Sequence, residues 1–125
     1  MFNQSKPSIL IIDDDVGILK TFSRIFQRKG YTVAVAAKGT EAIEKIACNH
    51  FDVALIDFCL PDMEGTQLFS VINNASPDTV KIMLTGKASV GSIEGADALL
   101  GKPIQPDQLL SIIDNKLKNR NIETL

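Results

Sequence analysis

Acidic side chains follow two of the apolar runs in this chain of 125 residues. The triplet Asp13–Asp15 comes directly after one run, and Asp57 closes another. Carboxylates that share a site repel one another and raise one another's pKa unless a positive charge intervenes. Hard cations such as Mg²⁺ take oxygen ligands of this kind. The two acidic positions therefore indicate a candidate site for a divalent cation.

Two further apolar runs end in groups that could hold a phosphoryl group. Thr85, followed by Gly86, closes one run, and Lys102, followed by Pro103, closes the other. A hydroxyl, a backbone N–H and an ammonium can bind phosphoryl oxygens whose charge a metal ion also offsets. An aspartate that attacks phosphorus forms an acyl phosphate, which is a form of covalent catalysis. Together these residue types indicate phosphoryl-transfer chemistry.

Short apolar runs alternate along the chain with amphipathic segments. The runs predict strands at Ser8–Asp13, Tyr31–Ala36, Asp52–Asp57, Val80–Thr85 and Ala98–Lys102. Helices are predicted at Val16–Lys29, at Thr40–Asn49 with Thr40 as N-cap, at Thr66–Asn73 and from Pro106 onward. Alternating strands and helices of this length predict an α/β domain, a doubly wound parallel sheet of five strands. The candidate residues then meet outside the carboxyl ends of the strands, where such sheets bind ligands.

Composition and charge indicate an ordinary globular domain. The chain is 45% hydrophobic and 22% charged, with a formal net charge of −2. This balance predicts no direct binding of nucleic acid or of an anionic membrane. Two cysteines make no disulfide framework, and neither a signal segment nor a membrane span is expected. We expect one cytoplasmic domain over residues 1–125, with its core at about residues 7–118 and a polar tail at residues 119–125.

Four segments resemble the receiver domains of two-component response regulators. They are ILIIDDD at residues 9–15, ALIDFCLPDMEG at 54–65, IMLTG at 82–86 and GADALLGKPI at 95–104. The resemblance covers nearly the whole chain in the family's order. It implies a flavodoxin-like fold with strand order 2-1-3-4-5 and a cis peptide bond before Pro103.

The resemblance also implies a role for each candidate residue. Asp57 would be the phosphoacceptor and one of the ligands of Mg²⁺, for which Mn²⁺ could substitute. The other ligands would be Asp14 directly, Asp13 through a water molecule and the backbone carbonyl of Cys59. The phosphoryl group would be held by Thr85, Gly86 and Lys102.

The family resemblance predicts partners rather than a metabolite substrate. A histidine kinase or a phosphotransfer protein would donate the phosphoryl group, and a downstream protein or effector domain would respond to it. The domain would assist its own phosphorylation and dephosphorylation, and it would not be a turnover enzyme.

Two features depart from the family pattern. Only eleven residues, 86–96, connect the fourth predicted strand to the turn before the fifth, so the family's fourth helix is expected to be shortened or irregular. We expect one or two helical turns there, around Ser89–Glu94. Leu99 stands at the switch position, where the family usually has Tyr or Phe. We therefore expect the phosphorylation chemistry to be kept and the usual output route to be altered.

Three other functions fit parts of the pattern. The shortened connection leaves open a receiver-like docking module that works without phosphorylation. An aspartate-nucleophile phosphohydrolase would resemble an Asp-x-Asp-x-Thr motif, but Gly17 stands at its final position after Asp13 and Asp15. A flavin-binding module on the same fold would need a phosphate loop after the first strand, where the acidic triplet repels phosphate. Asp15 is instead expected to begin the first helix.

Overall fold

The structure, a computed structural model, describes residues 6–86 and 93–123, with side chains described through residue 119. Five parallel strands form one sheet in the order β2-β1-β3-β4-β5. The strands are β1 (Ser8–Ile12), β2 (Thr32–Ala36), β3 (Val53–Asp57), β4 (Val80–Thr85) and β5 (Ala98–Gly101). This confirms the predicted fold class and strand order, with β2 at one edge of the sheet.

Four α-helices and one short 3₁₀ helix connect or follow the strands in the described part of the chain. They are α1 (Val16–Arg28), α2 (Gly39–Cys48), the 3₁₀ helix Gly65–Gln67, α3 (Leu68–Ala75) and α4 (Pro106–Glu123). Asp15 is the N-cap of α1, as predicted, and its carboxylate accepts hydrogen bonds from the N–H groups of Gly17 and Ile18. None of these described helices is both long and apolar enough to cross a bilayer.

The predicted N-cap of α2 is wrong. The helix begins at Gly39, so Thr40 already lies inside its first turn, and the N-cap residue Lys38 makes no side-chain capping bond. The N–H groups of Gly39 and Thr40 instead donate to the carboxylate of Asp62, which lies in the loop after β3. The capping acceptor therefore comes from a distant part of the chain rather than from the local sequence.

The sheet has an apolar layer on each face because neighbouring strand residues point to opposite sides. Ile9, Ile11 and Leu55 pack with residues of α1 and α4 on one face. Leu10 and Ile12 pack with residues of α2 and α3 on the other face. Both faces are covered, which explains why the strands read as continuous apolar runs.

The connection between β4 and β5 is described only in part. The predicted helical turns around Ser89–Glu94 fall mostly on residues 87–92, which lie outside the described residues. Glu94 and Gly95 form a turn, and Gly95 has a φ of 96°. The start of β5 is then fixed to β4, since Lys81 N–H donates to the Asp97 carboxylate at 2.7 Å.

Candidate functional site

The ends of β1 and β3 place two buried aspartates side by side. Ile12 of β1 pairs with Ile56 of β3, so the next residues in each strand, Asp13 and Asp57, are neighbours across the sheet. Asp13 N–H also donates to the carbonyl of Ala36 in β2, which holds Asp13 in line with the sheet. Asp13 is fully buried and Asp57 is 7% exposed. The predicted meeting of these two carboxylates is confirmed.

Lys102 reaches both aspartates from the end of β5. Its Nζ lies 2.9 Å from Asp13 Oδ2 and 3.4 Å from Asp57 Oδ1. The backbone supports this reach, because Lys102 N–H donates to the carbonyl of Thr85 at 2.8 Å. The peptide bond between Lys102 and Pro103 is cis, as the resemblance implied. The Lys102 ammonium therefore forms ion pairs with two carboxylates that follow or end neighbouring strands.

Burial and the neighbouring charges shift the pKa values of Asp57 and Lys102. Burial and then the Asp13 carboxylate raise the pKa of Asp57 above its ordinary value, although the nearby Lys102 opposes this rise. Burial alone would lower the pKa of Lys102, but the carboxylates of Asp13 and Asp57 outweigh burial and raise it. Lys102 therefore stays protonated, and one ammonium does not fully compensate the negative charge at the site.

The carboxylates are arranged as a cation would require. One oxygen from each of Asp13, Asp14 and Asp57 can be chosen so that all three lie within 4.8 Å of one another. Asp13 Oδ2 is buried, and among the described residues no donor meets it at a hydrogen-bonding angle, although the Lys102 ammonium is near. Asp14 is exposed and faces solvent beside the two buried carboxylates. This acidic cluster fits a hard divalent cation with oxygen ligands.

The other predicted residues lie around this cluster. Cys59 is two residues beyond Asp57, has an exposed thiol and pairs with Glu64 in an isolated antiparallel bridge. Thr85 is buried at the end of β4, and the exposed Gly86 follows it. Since β4 pairs with β3 in parallel, Thr85 and Gly86 lie at the same end of the strands as the carboxylates.

Leu99 lies away from the carboxylate cluster. It is a half-buried residue of β5, is paired with Met83 of β4 and packs against the apolar layer that α2 and α3 cover. Its side chain is therefore placed on the sheet face rather than at the strand ends.

Sequence reasoning missed Asp62, which connects the loop after β3 to α2. Its two oxygens accept hydrogen bonds from Gly39 and Thr40, 23 and 22 residues away in the chain. No local pattern predicts such a pair, because the acceptor and the donors belong to separate elements. The preference of helices for an acidic group near the first turn was the one available signal.

Comparison with known proteins gives the family. A family model described as the response regulator receiver domain matches residues 9–114. The transcriptional regulatory protein GlrR of Escherichia coli K12 is 31% identical over 90% of this chain. The aligned region is 27% of GlrR, so the chain spans about a quarter of the length of that relative.

Solved structures agree with this assignment. A CheY-like receiver domain protein from Methanospirillum hungatei superposes with a TM-score of 0.86 and 40% identity, covering 95% of this chain and 99% of that one. TrrA of Thermotoga maritima, solved in complex with Mg²⁺-BeF, has a TM-score of 0.79 and 25% identity, covering 88% of this chain and 98% of that one. With its acidic cluster at the expected strand ends, the chain belongs to the receiver domains of two-component response regulators.

Proposed function

We propose that this receiver domain takes a phosphoryl group onto Asp57 with the help of Mg²⁺. The observation that carries the proposal is the cluster of Asp13, Asp14, Asp57 and Lys102 at one edge of the sheet. Receiver domains of response regulators are signalling modules. We infer that this one is likewise a switch and not a turnover enzyme.

Asp57 is the proposed nucleophile. One of its oxygens attacks the phosphorus of a phosphohistidine, the P–N bond breaks, and the histidine nitrogen leaves with the electron pair. The attacking oxygen must be ionised, and Lys102 favours that form by lowering the pKa that burial raises. The phosphoryl group would replace the Asp57 charge with a larger one, so the ammonium of Lys102 gains a stronger partner.

The remaining phosphoryl oxygens are assigned to Thr85, the Gly86 N–H and Lys102. Thr85 and Gly86 follow one another at the end of β4, and the Lys102 backbone is bonded to Thr85. A hydroxyl, an N–H group and an ammonium from the ends of β4 and β5 would thereby contact the phosphoryl oxygens.

The proposed ligands of Mg²⁺ are the carboxylates of Asp13, Asp14 and Asp57 and the backbone carbonyl of Cys59. Asp14 would bind the ion directly, and Asp13 would bind it through water. Support for this assignment comes from the closeness of the three carboxylates and from the buried Asp13 oxygen that lacks a directed donor. When bound, the ion would neutralise the crowded carboxylates and the phosphoryl oxygens. Mn²⁺ has the same preference for oxygen ligands and could replace it.

A histidine kinase or a phosphotransfer protein is the proposed donor, and the cytoplasm is the proposed location of the domain. An open cleft of about 630 Å³ adjoins Lys102 and could admit part of this partner. The cleft is bordered by Ile18, Phe22, Pro103 and Ile104, among other residues. We further propose that residues 1–125 act as one domain and that a downstream partner or effector domain responds to its state.

Docking without phosphorylation is the second candidate function. Leu99 favours it, because leucine at the switch position supplies neither a ring nor a hydroxyl. The phosphohydrolase alternative is less compatible with the geometry, since the carboxylate of Asp15 already accepts bonds from the N–H groups of α1. An altered output surface is the interpretation that agrees both with leucine at position 99 and with an intact acidic cluster.

Intact mass spectrometry after incubation with acetyl phosphate tests the proposal. We expect a base-labile adduct of one phosphoryl group that requires Mg²⁺ and is lost in Asp57→Asn. Asp107→Asn, a substitution of an exposed aspartate in α4, is the matched control and should still form the adduct. Beryllofluoride binding without any adduct indicates rapid hydrolysis, whereas the absence of both supports the docking function.

A further inference from the structure

Asp62 joins the loop after β3 to the start of α2. Its Oδ1 accepts a hydrogen bond from Gly39 N–H at 2.8 Å, and its Oδ2 accepts one from Thr40 N–H at 3.0 Å. These bonds, the one from Gly39 above all, hold the pKa of the Asp62 carboxyl below its ordinary value. Both oxygens of one carboxylate are thus engaged by the first turn of a single helix.

A packing contact accompanies these hydrogen bonds. The side chain of Met63, the next residue in the loop, lies directly over Gly39, where any Cβ would overlap it. The tip of the loop is therefore held to α2 by a polar contact and by an apolar contact at adjacent residues. The absence of a side chain at Gly39 is what permits this close approach.

The same loop carries the carbonyl of Cys59 in a closed turn. Leu60 N–H donates to the Met63 carbonyl at 3.1 Å, and Cys59 pairs with Glu64. At its base, Gly65 N–H donates to the Phe58 carbonyl at 2.7 Å. These hydrogen bonds connect the tip of the turn to the backbone on either side of the Cys59 carbonyl.

We propose that Asp62 is a positioning residue for the cation site: by fixing the loop to α2, it sets the place of the Cys59 carbonyl. This inference rests on the proposed function, in which that carbonyl is a ligand of Mg²⁺. Groups that orient metal ligands without touching the ion commonly change metal affinity by about ten- to a hundredfold. The alternative is that Asp62 only caps α2, with no effect on the cation.

Two substitutions separate these roles. Asp62→Ala removes the helix cap and the hydrogen-bonded part of the connection to the loop, and it leaves the contact between Met63 and Gly39 in place. Adding Lys38→Ser to Asp62→Ala gives α2 an N-cap of its own at the position that now makes no side-chain capping bond, without restoring the connection. Glu64→Gln is the control for charge, because it removes one negative charge from the same loop and leaves Asp62 in place.

The measurements are Mg²⁺ affinity by titration calorimetry, melting temperature, and amide hydrogen exchange of residues 58–65 in the metal-free protein. We expect Asp62→Ala to weaken Mg²⁺ binding about tenfold, to lower the melting temperature and to speed exchange in the loop. Lys38→Ser should then recover the melting temperature but not the affinity or the slow exchange. Glu64→Gln should weaken binding by less than Asp62→Ala.

Several outcomes would overturn the inference. They are an unchanged affinity in Asp62→Ala, a full recovery of affinity with Lys38→Ser, or an equal loss in Glu64→Gln. If Asp62→Ala does not fold, Asp62→Asn, which keeps one acceptor oxygen, should bind Mg²⁺ with intermediate affinity, and an unchanged value again rejects the proposal. A wild-type chain that binds no Mg²⁺ contradicts the proposed function itself, and this inference with it.

Discussion

Burial and the adjacent Asp13 carboxylate both oppose ionisation of Asp57, which raises its pKa above the ordinary value of 3.8. A group whose pKa is higher in the folded state takes up protons on folding. The free energy of unfolding therefore falls as the pH rises from 3.8 through the folded-state pKa. The Asp57 carboxylate is thus a source of instability at neutral pH in the absence of a cation.

Asp57→Asn removes this charge. We expect the variant to melt higher than the wild type at neutral pH, by on the order of a few degrees. The difference should shrink as the pH is lowered, because the wild-type carboxyl then becomes protonated. Scanning calorimetry of metal-free protein across a pH series measures both effects. A wild type that melts at or above the variant at neutral pH contradicts the electrostatic account.

The Lys102 ammonium partly neutralises the negative charge of the buried Asp13 and Asp57 carboxylates. Its removal should therefore affect both residues. We expect Lys102→Met to raise the pKa of Asp57 further, since Lys102 lowers that pKa by its charge and by hydrogen bonding. The variant should also lower the free energy of unfolding by about 1–3 kcal/mol, because Asp13 remains buried beside it. The carboxyl ¹³C shift of Asp57 as a function of pH reports the first effect, and urea unfolding reports the second.

Lys118→Met is the matched control for this prediction. The Lys118 ammonium is exposed and lies 3.8 Å from Asp114 within α4. Exposed pairs of this kind contribute little to stability. An effect of Lys118→Met as large as that of Lys102→Met would show that the loss of any lysine explains the result.

At the scale of elements, the loop after β3 depends on a close backbone approach at Gly65. A Cβ placed there would overlap the carbonyl oxygen of Asp57 and lie 2.9 Å from a methyl group of Ile56. The obstacle is the backbone of Asp57, the proposed phosphoacceptor, so a larger residue at position 65 must displace either its own backbone or that of Asp57. Gly65 is therefore required by space rather than by an unusual φ angle.

We expect Gly65→Ala to lower the free energy of unfolding by about 1–3 kcal/mol and to slow adduct formation at Asp57. Urea unfolding and intact mass after acetyl phosphate measure these effects. Gly101→Ala is the control, because the nearest described atom to its Cβ would be the Thr85 carbonyl oxygen at 4.0 Å. If Gly65→Ala and Gly101→Ala both match the wild type in the free energy of unfolding and in the rate of adduct formation, the close approach at Gly65 is important for neither property.

The sequence predicted those features of the site that depend on strand ends. Each apolar run marks where a buried strand stops, and parallel strands bring their carboxyl ends to one edge. That is why Asp13, Asp57 and Lys102 could be grouped before any distance was known. Asp15 was also predictable as a cap, since its partners are two and three residues away.

The features that escaped prediction depend on contacts between distant elements. Thr40 has a local preference for the N-cap position, but the carboxylate of Asp62 supplies that acceptor from another loop. Likewise, the sequence places Lys102 at the sheet edge without showing that it reaches both Asp13 and Asp57. Side-chain reach and loop packing are set by the tertiary fold, which local propensities do not encode.

At the scale of the whole molecule, the site lies at the carboxyl ends of the strands of a single sheet that is covered on both faces. One apolar layer packs under α1 and α4, and the other packs under α2 and α3. The strand ends between these layers hold the carboxylates and Lys102, while Leu99 lies in the second layer. A change of charge at Asp57 therefore occurs where both layers meet.

In the proposed function Asp57, and not another carboxylate of the cluster, accepts the phosphoryl group. The most direct test is to trap the adduct with borohydride, which reduces an aspartyl phosphate to an alcohol, and to locate the modified residue by peptide sequencing in a mass spectrometer. We predict reduction at Asp57 alone, dependent on Mg²⁺. Reduction at Asp13 or Asp14 in the wild type would contradict the account.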